Sequence, residues 1–396
     1  LPICPVKKAK QLSLSQAVRE ATSLCRPEPP EGIPLNLALG RVAAGRLTAL
    51  LPVPPFAQAA RDGYALRRRD RRQALAIAGE VAAGCRNLPN CGPGQALHIM
   101  TGAPVPAGCD LVVPLEEARE EKGVVRITGP AAADHIRRTG CDLAPGRRIA
   151  ASGELLFPEY LALAASAGVS RVAVYRMPKV AVLCTGSELA VPGTTLGPGQ
   201  IFSTNLLLLQ GLIRENGGET GILEIAPDRP ADIVGRVAEM LADHPPLLIT
   251  TGGTGPGRYD LLERVFAELE LETVFAGLAV KPGQHTRLGR RGNTLIVALP
   301  GPPPAVRLIF NVLVRPLLFK LTGRRIPLPL RVRLGEALTC KGRAITNLKG
   351  GIYLQKGEDV TVRPAGRNEA SNCVIVLPAR TRQLPAGAMV TIHPAR

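Results

Sequence analysis

The sequence predicts a multidomain protein of the α/β plus β class: a sheet between helices, a β-rich region before it and a small all-β region after it. Three observations carry this prediction. From Pro158 to about Leu321, short apolar runs alternate with helical stretches, so strand and helix alternate and a parallel sheet covered by helices is expected. From Leu51 to about Thr139, short apolar runs are cut by Gly and Pro, the pattern of several short strands. Beyond Pro327, apolar runs around Val332, Tyr353, Val360–Val362, Val374–Val376 and Val390–Ile392 follow one another with no helix between them.

The elements follow in order. Ser13 with Gln16 three residues on reads as a capping box, opening a helix that runs to about Cys25 and stops before Pro27. Asn36 to Ala49 reads as strand. Arg67 to Arg72 holds five Arg and one Asp and reads as a solvated surface turn. Pro158 suits the first turn of a helix and Gly168 its end. Strands are expected near Val172–Val174, at Val180–Cys184, near Ile222, at Leu247–Thr250 and at Leu295–Leu299. Between them, helices are expected from Thr204 to Asn216, from Pro230 to Ala242 with Asp228 as cap, from Asp260 to Leu269, and from Pro300-Gly301 to about Leu321.

Composition narrows the function. With 45% hydrophobic residues, 396 residues supply more than one core; 42 Gly and 37 Pro make the chain turn-rich. No run of 18 apolar residues exists, so no membrane span is expected, and the basic Leu1–Lys10 has no apolar run behind it to form a secretory signal. A net charge of +17 suits an anionic ligand (nucleic acid, phosphate ester or oxyanion), or serves only solubility. The 3% of aromatic residues, without Trp, disfavours stacking on single-stranded nucleic acid. Nine Cys without a CxxC pair favour neither a zinc site nor a disulfide framework, and a reducing cytoplasm fits best.

In a doubly wound sheet, ligands bind at the carboxyl ends of the strands. Three such ends carry Gly turns: Thr185-Gly186-Ser187-Glu188, Thr251-Gly252-Gly253-Thr254-Gly255-Pro256-Gly257 and Pro300-Gly301. Backbone N–H groups in such turns hold anions. The spacing matches neither GxGxxG nor GxxxxGK[ST], which disfavours dinucleotides and a Walker A site. Glu188, Asp228 and Asp260 lie near these turns, and Lys281 follows an apolar run. Carboxylates with a basic clamp suit Mg²⁺ and a phosphate ligand; equally, Asp228 serves as a helix cap, Asp260 as a first-turn acid and Lys281 as a surface cation. Spacing alone does not choose a substrate.

The motifs do. Pro54-Pro55-Phe56 followed by Asp62-Gly63-Tyr64-Ala65 resembles the PPF-x(n)-SAMDGYA signature of the MoeA family, the molybdopterin molybdenumtransferases, which includes the gephyrin E domain. In the same order, Ile99-Met100-Thr101-Gly102-Ala103-Pro104, Gly140-Cys141-Asp142, Thr185-Gly186-Ser187-Glu188-Leu189, Ile201 to Asn205, Thr251-Gly252-Gly253 through Asp260, Lys281-Pro282-Gly283 and Leu299-Pro300-Gly301 resemble further stretches of that family. The resemblance implies four parts: a discontinuous elongated N-terminal domain (1–50 and 141–176), an inserted β domain (51–140), a MogA-like molybdopterin-binding α/β domain (177–326) and a small C-terminal β-barrel-like domain (327–396). It implies a homodimer with the site between the α/β domain of one subunit and the insert of the other. The implied activity is insertion of molybdate into adenylylated molybdopterin with Mg²⁺, releasing AMP, with possible transfer of the product to molybdoenzymes or chaperones.

By the same resemblance, Asp62, Asp142, Asp228 and Asp260 are catalytic. Thr101, Thr185, Gly186, Glu188, Asn205, Gly252, Gly253, Lys281, Pro300 and Gly301 bind the cofactor, and Glu188, Asp228 and Asp260 bind metal. The chain departs from the family pattern at Ala57, Ser187, Gly255, Arg258, Gln284 and Pro302. The alternative reading is a diverged paralogue that binds molybdopterin, a related cofactor or a partner protein without turnover. Molybdate and tungstate are too alike in shape and charge for the sequence to separate.

Overall fold

A computed structural model describes residues 11–253, 261–356, 359–366 and 369–395. They pack as two units, one formed by Gly32–Val174 and the other by the rest of the described chain.

In Gly32–Val174, six strands form one sheet in the order Leu111–Pro114, Gly63–Leu66, Gln95–Ile99, Leu75–Val81, Val124–Ile127, Ala118–Glu121. Neighbouring residues of its strands point to opposite faces, and both faces are buried. Ala65, Leu97 and Val112 join one apolar cluster, while Tyr64, Leu66, Ala96, Leu111 and Val113 join another. Such strands read as continuous apolar runs rather than alternating ones. The helix Pro158–Ser166 starts at its proline and is followed by Gly168 at φ 81°. It packs with Ala38, Ala43, Leu47, Ile149 and Val172.

Asn36 to Ala49 is not one strand. Only Leu47–Thr48 is, paired with Arg148–Ala150, because Gly40 at φ 72° turns the chain, and Val42 and Ala43 make single bridges. Within the arginine run, Asp70 is buried and accepts the Gly94 N–H at 3.2 Å, so that turn is anchored rather than merely solvated.

In the second unit, the helix Leu14–Ser23 opens on its capping box. The Ser13 hydroxyl accepts the Gln16 N–H, and the Gln16 side chain accepts the Ser13 N–H. Its stripe of Leu14, Ala17, Val18 and Ala21 packs into the core of the α/β sheet. This helix groups with the α/β unit, and residues 32–50 group with 141–174.

The α/β sheet has the order Glu219–Ala226, Lys179–Thr185, Leu247–Thr251, Thr294–Leu299, Arg287–Arg291, Glu272–Ala276. The first four strands are parallel. Helices cover both faces, with Val182, Ile249 and Val297 buried on one side and Leu183, Leu248 and Ile296 on the other. The last two strands are antiparallel additions that periodicity did not reveal. Both are five residues long, Glu272–Ala276 forms the sheet edge, and Gly289 lies under the Phe266 ring, where a Cβ would come within 2.5 Å.

The C-terminal strands Leu330–Leu334, Thr346–Lys356, Asp359–Pro364, Cys373–Leu377 and Met389–Pro394 pair in a ring, because the Thr346–Lys356 strand bonds both Asp359–Pro364 and Cys373–Leu377. This closed five-stranded barrel matches the expected β-barrel-like tail. Among the described residues, no helix is long and apolar enough to cross a membrane.

Candidate functional site

The four parallel strands run in the spatial order second, first, third, fourth, so the chain reverses its direction of winding between the strands ending at Thr185 and Thr251. That switch point is where a crevice opens in such sheets. Gly252, at φ 95°, lies so close to the Thr185 carbonyl that a Cβ would come within 2.3 Å of its oxygen. Asn205, on the second residue of the helix Thr204–Glu215, ties the rim together: its Nδ2 donates to the Gly301 carbonyl at 2.7 Å and to Thr251 Oγ1 at 3.4 Å. The Gly252 N–H donates to the Leu299 carbonyl and the Gly186 N–H to the Ala226 carbonyl, so all four strand ends are stitched.

Thr185 Oγ1, Ser203 Oγ and Asn205 Oδ1 are buried here without a hydrogen-bond partner among the described residues. Buried polar atoms are normally bonded, at a cost of about 1–3 kcal/mol where they are not. Three together fit a polar ligand. Burial pushes the Cys184 thiol up, so it stays a thiol. Ser203 was not singled out from the sequence, although its place just before a helix is the usual signal for a polar cap.

The carboxylates border the crevice. Glu188 folds back over Gly186, where a Cβ would lie 2.8 Å from its Oε2. Asp228 is not the helix cap that its spacing suggested. Arg229 holds that position because Pro230 takes the first helical turn, and the Asp228 N–H donates instead to Ser187 Oγ at 3.1 Å. The Asp228 side chain is exposed.

One other expectation is corrected. The helix after Pro300-Gly301 offers little to an anion: Pro303 and Pro304 have no N–H, and Ala305 and Val306 both bond Pro302. Lys281 ends an apolar strand as expected, and lies exposed on Val280–Lys281, which pairs with Thr346 and Asn347 of the barrel and follows the edge strand Glu272–Ala276. Three strand spacings, about 14 Å, separate that edge from the strand ending at Thr251. Asp260 and residues 254–259 lie outside the described residues, whereas Gly253 follows Gly252 at φ 62°.

Among the described residues, no group of three His, Cys, Asp or Glu is placed to hold a metal ion. Glu188 and Asp228 flank one turn, and Mg²⁺ commonly takes one or two carboxylates with substrate phosphates, so this donor set fits it.

In the other unit, motifs far apart in the chain meet around Gln58–Ala59. Ala59 exchanges bonds with Gly102 and Ala103, stands opposite Ile136, and is flanked by Gly140 bonding Pro54 and Asp142 bonding Val53. Gly63 has to be glycine: a Cβ would meet the Val113 carbonyl oxygen at 1.9 Å. Asp62 Oδ1 accepts the Thr101 N–H at 2.6 Å and the Thr101 hydroxyl at 2.9 Å. Asp142 pairs with Arg137 and accepts from the Cys141 thiol.

The Thr101 N–H and then its hydroxyl hold the Asp62 carboxyl below its ordinary range, against a smaller opposing desolvation. Asp62 is therefore an anion and a hydrogen-bond acceptor at neutral pH, not an acid. Its stabilising effect is complete above the unfolded carboxyl's pKa and is lost as pH falls through the lower folded value. In Thr101→Val, the Asp62 titration followed by carboxyl ¹³C NMR should move up yet stay below that of an unfolded Asp, because the N–H remains. An unmoved midpoint would remove the hydroxyl from this account.

A doubly wound sheet with glycine turns at its switch point defines the class of α/β protein whose ligands bind at the carboxyl ends of the strands. The MoeA N-terminal region (domain I and II) matches residues 5–168, and a probable molybdopterin binding domain matches residues 181–320. The chain is 35% identical to molybdopterin molybdenumtransferase 2 of Mycobacterium tuberculosis, covering 95% of this chain and 97% of that one. It is 32% identical to the molybdopterin molybdenumtransferase of Haemophilus influenzae, covering 93% and 94%. The crystal structure of a molybdopterin biosynthesis MoeA protein from Pyrococcus horikoshii superposes with a TM-score of 0.82 at 28% identity, covering 98% of this chain and all of that one. The chain belongs to the MoeA family.

Proposed function

We propose that this protein is a molybdopterin molybdenumtransferase that works in molybdenum cofactor biosynthesis, inserting molybdate into adenylylated molybdopterin and releasing AMP. The observation that carries this reading is the cluster of unpartnered buried polar atoms at the switch point, Thr185 Oγ1, Ser203 Oγ and Asn205 Oδ1. It lies in a chain related over nearly its whole length to enzymes of that name.

Hydroxyls and the backbone of the Gly252-Gly253 turn supply donors for phosphate or molybdate oxygens, and Gly252 lets the backbone come close. Glu188 and Asp228, with Asp260, would hold Mg²⁺, which when bound neutralises charge on the pyrophosphate. Asp62, Thr101 and Asp142 carry parts read from the family pattern. The working form in this reading is a homodimer, and the product passes to molybdoenzymes or their chaperones.

The test is AMP release from adenylylated molybdopterin by the purified full chain, with Mg²⁺ and molybdate, beside Asp142→Asn. Asn keeps the shape of the side chain and loses the charge that faces Arg137. Release that depends on molybdate and on Mg²⁺, and falls at least about tenfold in Asp142→Asn, is expected. Tight binding without release would mean the diverged paralogue, and neither would mean a different ligand. Tungstate in place of molybdate reads the metal preference.

A further inference from the structure

A cavity of about 560 Å³ opens between the N-terminal helix, the last helix of the α/β unit and the C-terminal barrel. None of the crevice residues lines it, so it is a separate place in the molecule. Its volume falls within the usual range for small-molecule sites, about 300–1,000 Å³.

Its wall originates in one proline. Pro316 has no N–H to give, and its ring would clash with the carbonyl four residues back in a regular helix. The helix Pro303–Ile309 therefore widens into a π turn at Phe310–Val314 before continuing as Arg315–Leu321, and the Arg315 N–H reaches back to Phe310. Such turns often lie at functional sites. This one places Asn311 and Arg315 on the cavity wall.

Both residues have polar atoms left over. Asn311 is only 4% exposed; its Nδ2 donates to the Arg307 carbonyl at 2.9 Å and its Oδ1 has no partner among the described residues. The Arg315 guanidinium lies 5.0 Å from the centre of the Phe319 ring and donates to the Pro394 carbonyl, while its Nε has no hydrogen-bond partner there. The electrostatics are cationic. Arg19 lines the cavity from the N-terminal helix and His393 from the barrel. Burial and then Arg315 hold His393 toward its neutral form, and burial and then Arg324 hold Arg315 below its ordinary range, against Glu215. Leu14, Val18 and Phe319 supply the apolar part of the lining.

We propose that this cavity is a second binding site, for a small amphipathic carboxylate with a hydrogen-bond donor beside its carboxyl group. The apolar body lies against Leu14, Val18 and Phe319. The carboxylate accepts from Arg315, and the adjacent donor meets Asn311 Oδ1.

The probe is 3-phenyllactate, a 2-hydroxy carboxylate, titrated into the full chain by calorimetry. Phenylacetate lacks the donor, the amide of 3-phenyllactate lacks the charge, and phenethylamine reverses it. Saturable one-to-one binding of 3-phenyllactate is expected, with the neutral amide weaker by about tenfold or more and the amine not binding. Arg315→Met should weaken 3-phenyllactate to the level of its amide, and Asn311→Leu should erase its advantage over phenylacetate. Ser15→Trp, at an exposed position of the N-terminal helix that lines the cavity, fills it and should abolish binding while leaving AMP release unchanged. This last variant decides the matter if a substitution in the inner helix prevents folding. Absence of saturable binding at millimolar probe, equal binding of the amide, or unchanged binding in Ser15→Trp would each overturn the proposal.

Discussion

Gly252→Ala is expected to be the most damaging single-methyl change in the crevice. The residue sits at φ 95°, and its new Cβ would lie 2.3 Å from the Thr185 carbonyl oxygen and 2.7 Å from the Thr185 hydroxyl. A backbone conformation that L-residues avoid costs about 1–3 kcal/mol before the clash is counted. The clash is with backbone, so relief has to spread the ends of two central strands. A displacement of about 1 Å at a reacting centre costs about a hundredfold in rate. AMP release should therefore fall about a hundredfold, with a lowered unfolding temperature. Gly301→Ala is the internal control. A Cβ there meets nothing closer than the Gly252 Cα at 3.9 Å, so its stability should match the parent. Equal behaviour of the two variants would refute the close-approach account.

Asn205→Leu should be the second largest. The side chain is 8% exposed and donates to Gly301 and Thr251. Leucine keeps the volume but leaves the half-buried Gly301 carbonyl without its donor, at up to about 1–3 kcal/mol. It also frees the Pro300-Gly301 turn from the strand ending at Thr251. Thermal unfolding should fall accordingly, and AMP release should drop by about tenfold or more. Asn205→Asp should be worse than Leu, because it cannot donate to Gly301 and adds negative charge where an anion is to bind. If Asn205→Leu unfolds and turns over like the parent, Asn205 is not the tie that holds the rim.

How legible each feature was depended on the range of its cause. The capping box at Ser13 and Gln16, the proline starts at Pro158 and Pro230, and the glycine stop at Gly217 are local chemistry, and the helices begin and end there. Asp228 misled because a cap and a first-turn loop acid look alike in sequence; only the fold shows its N–H going to Ser187. The apolar run before Lys281 was legible, but not which sheet it joins, because pairing with the barrel is a contact distant in the chain. The two antiparallel strands were missed because Glu272–Ala276 is short and Arg287–Arg291 carries three arginines where a central strand would be apolar.

The sequence by itself determined the class of fold, the order of most elements, the three glycine turns and the family whose motifs they match. Each of these follows from periodicity, turn chemistry or short motifs, whose causes act within a few residues. Tertiary structure alone decided that Gly252 presses on Thr185, that Asn205 spans to Gly301, and that Pro316 opens a π turn onto a cavity beside the barrel. Strand order and register make those neighbours, and they arise from packing between segments as far apart in the chain as Leu14 and His393, which no local pattern encodes.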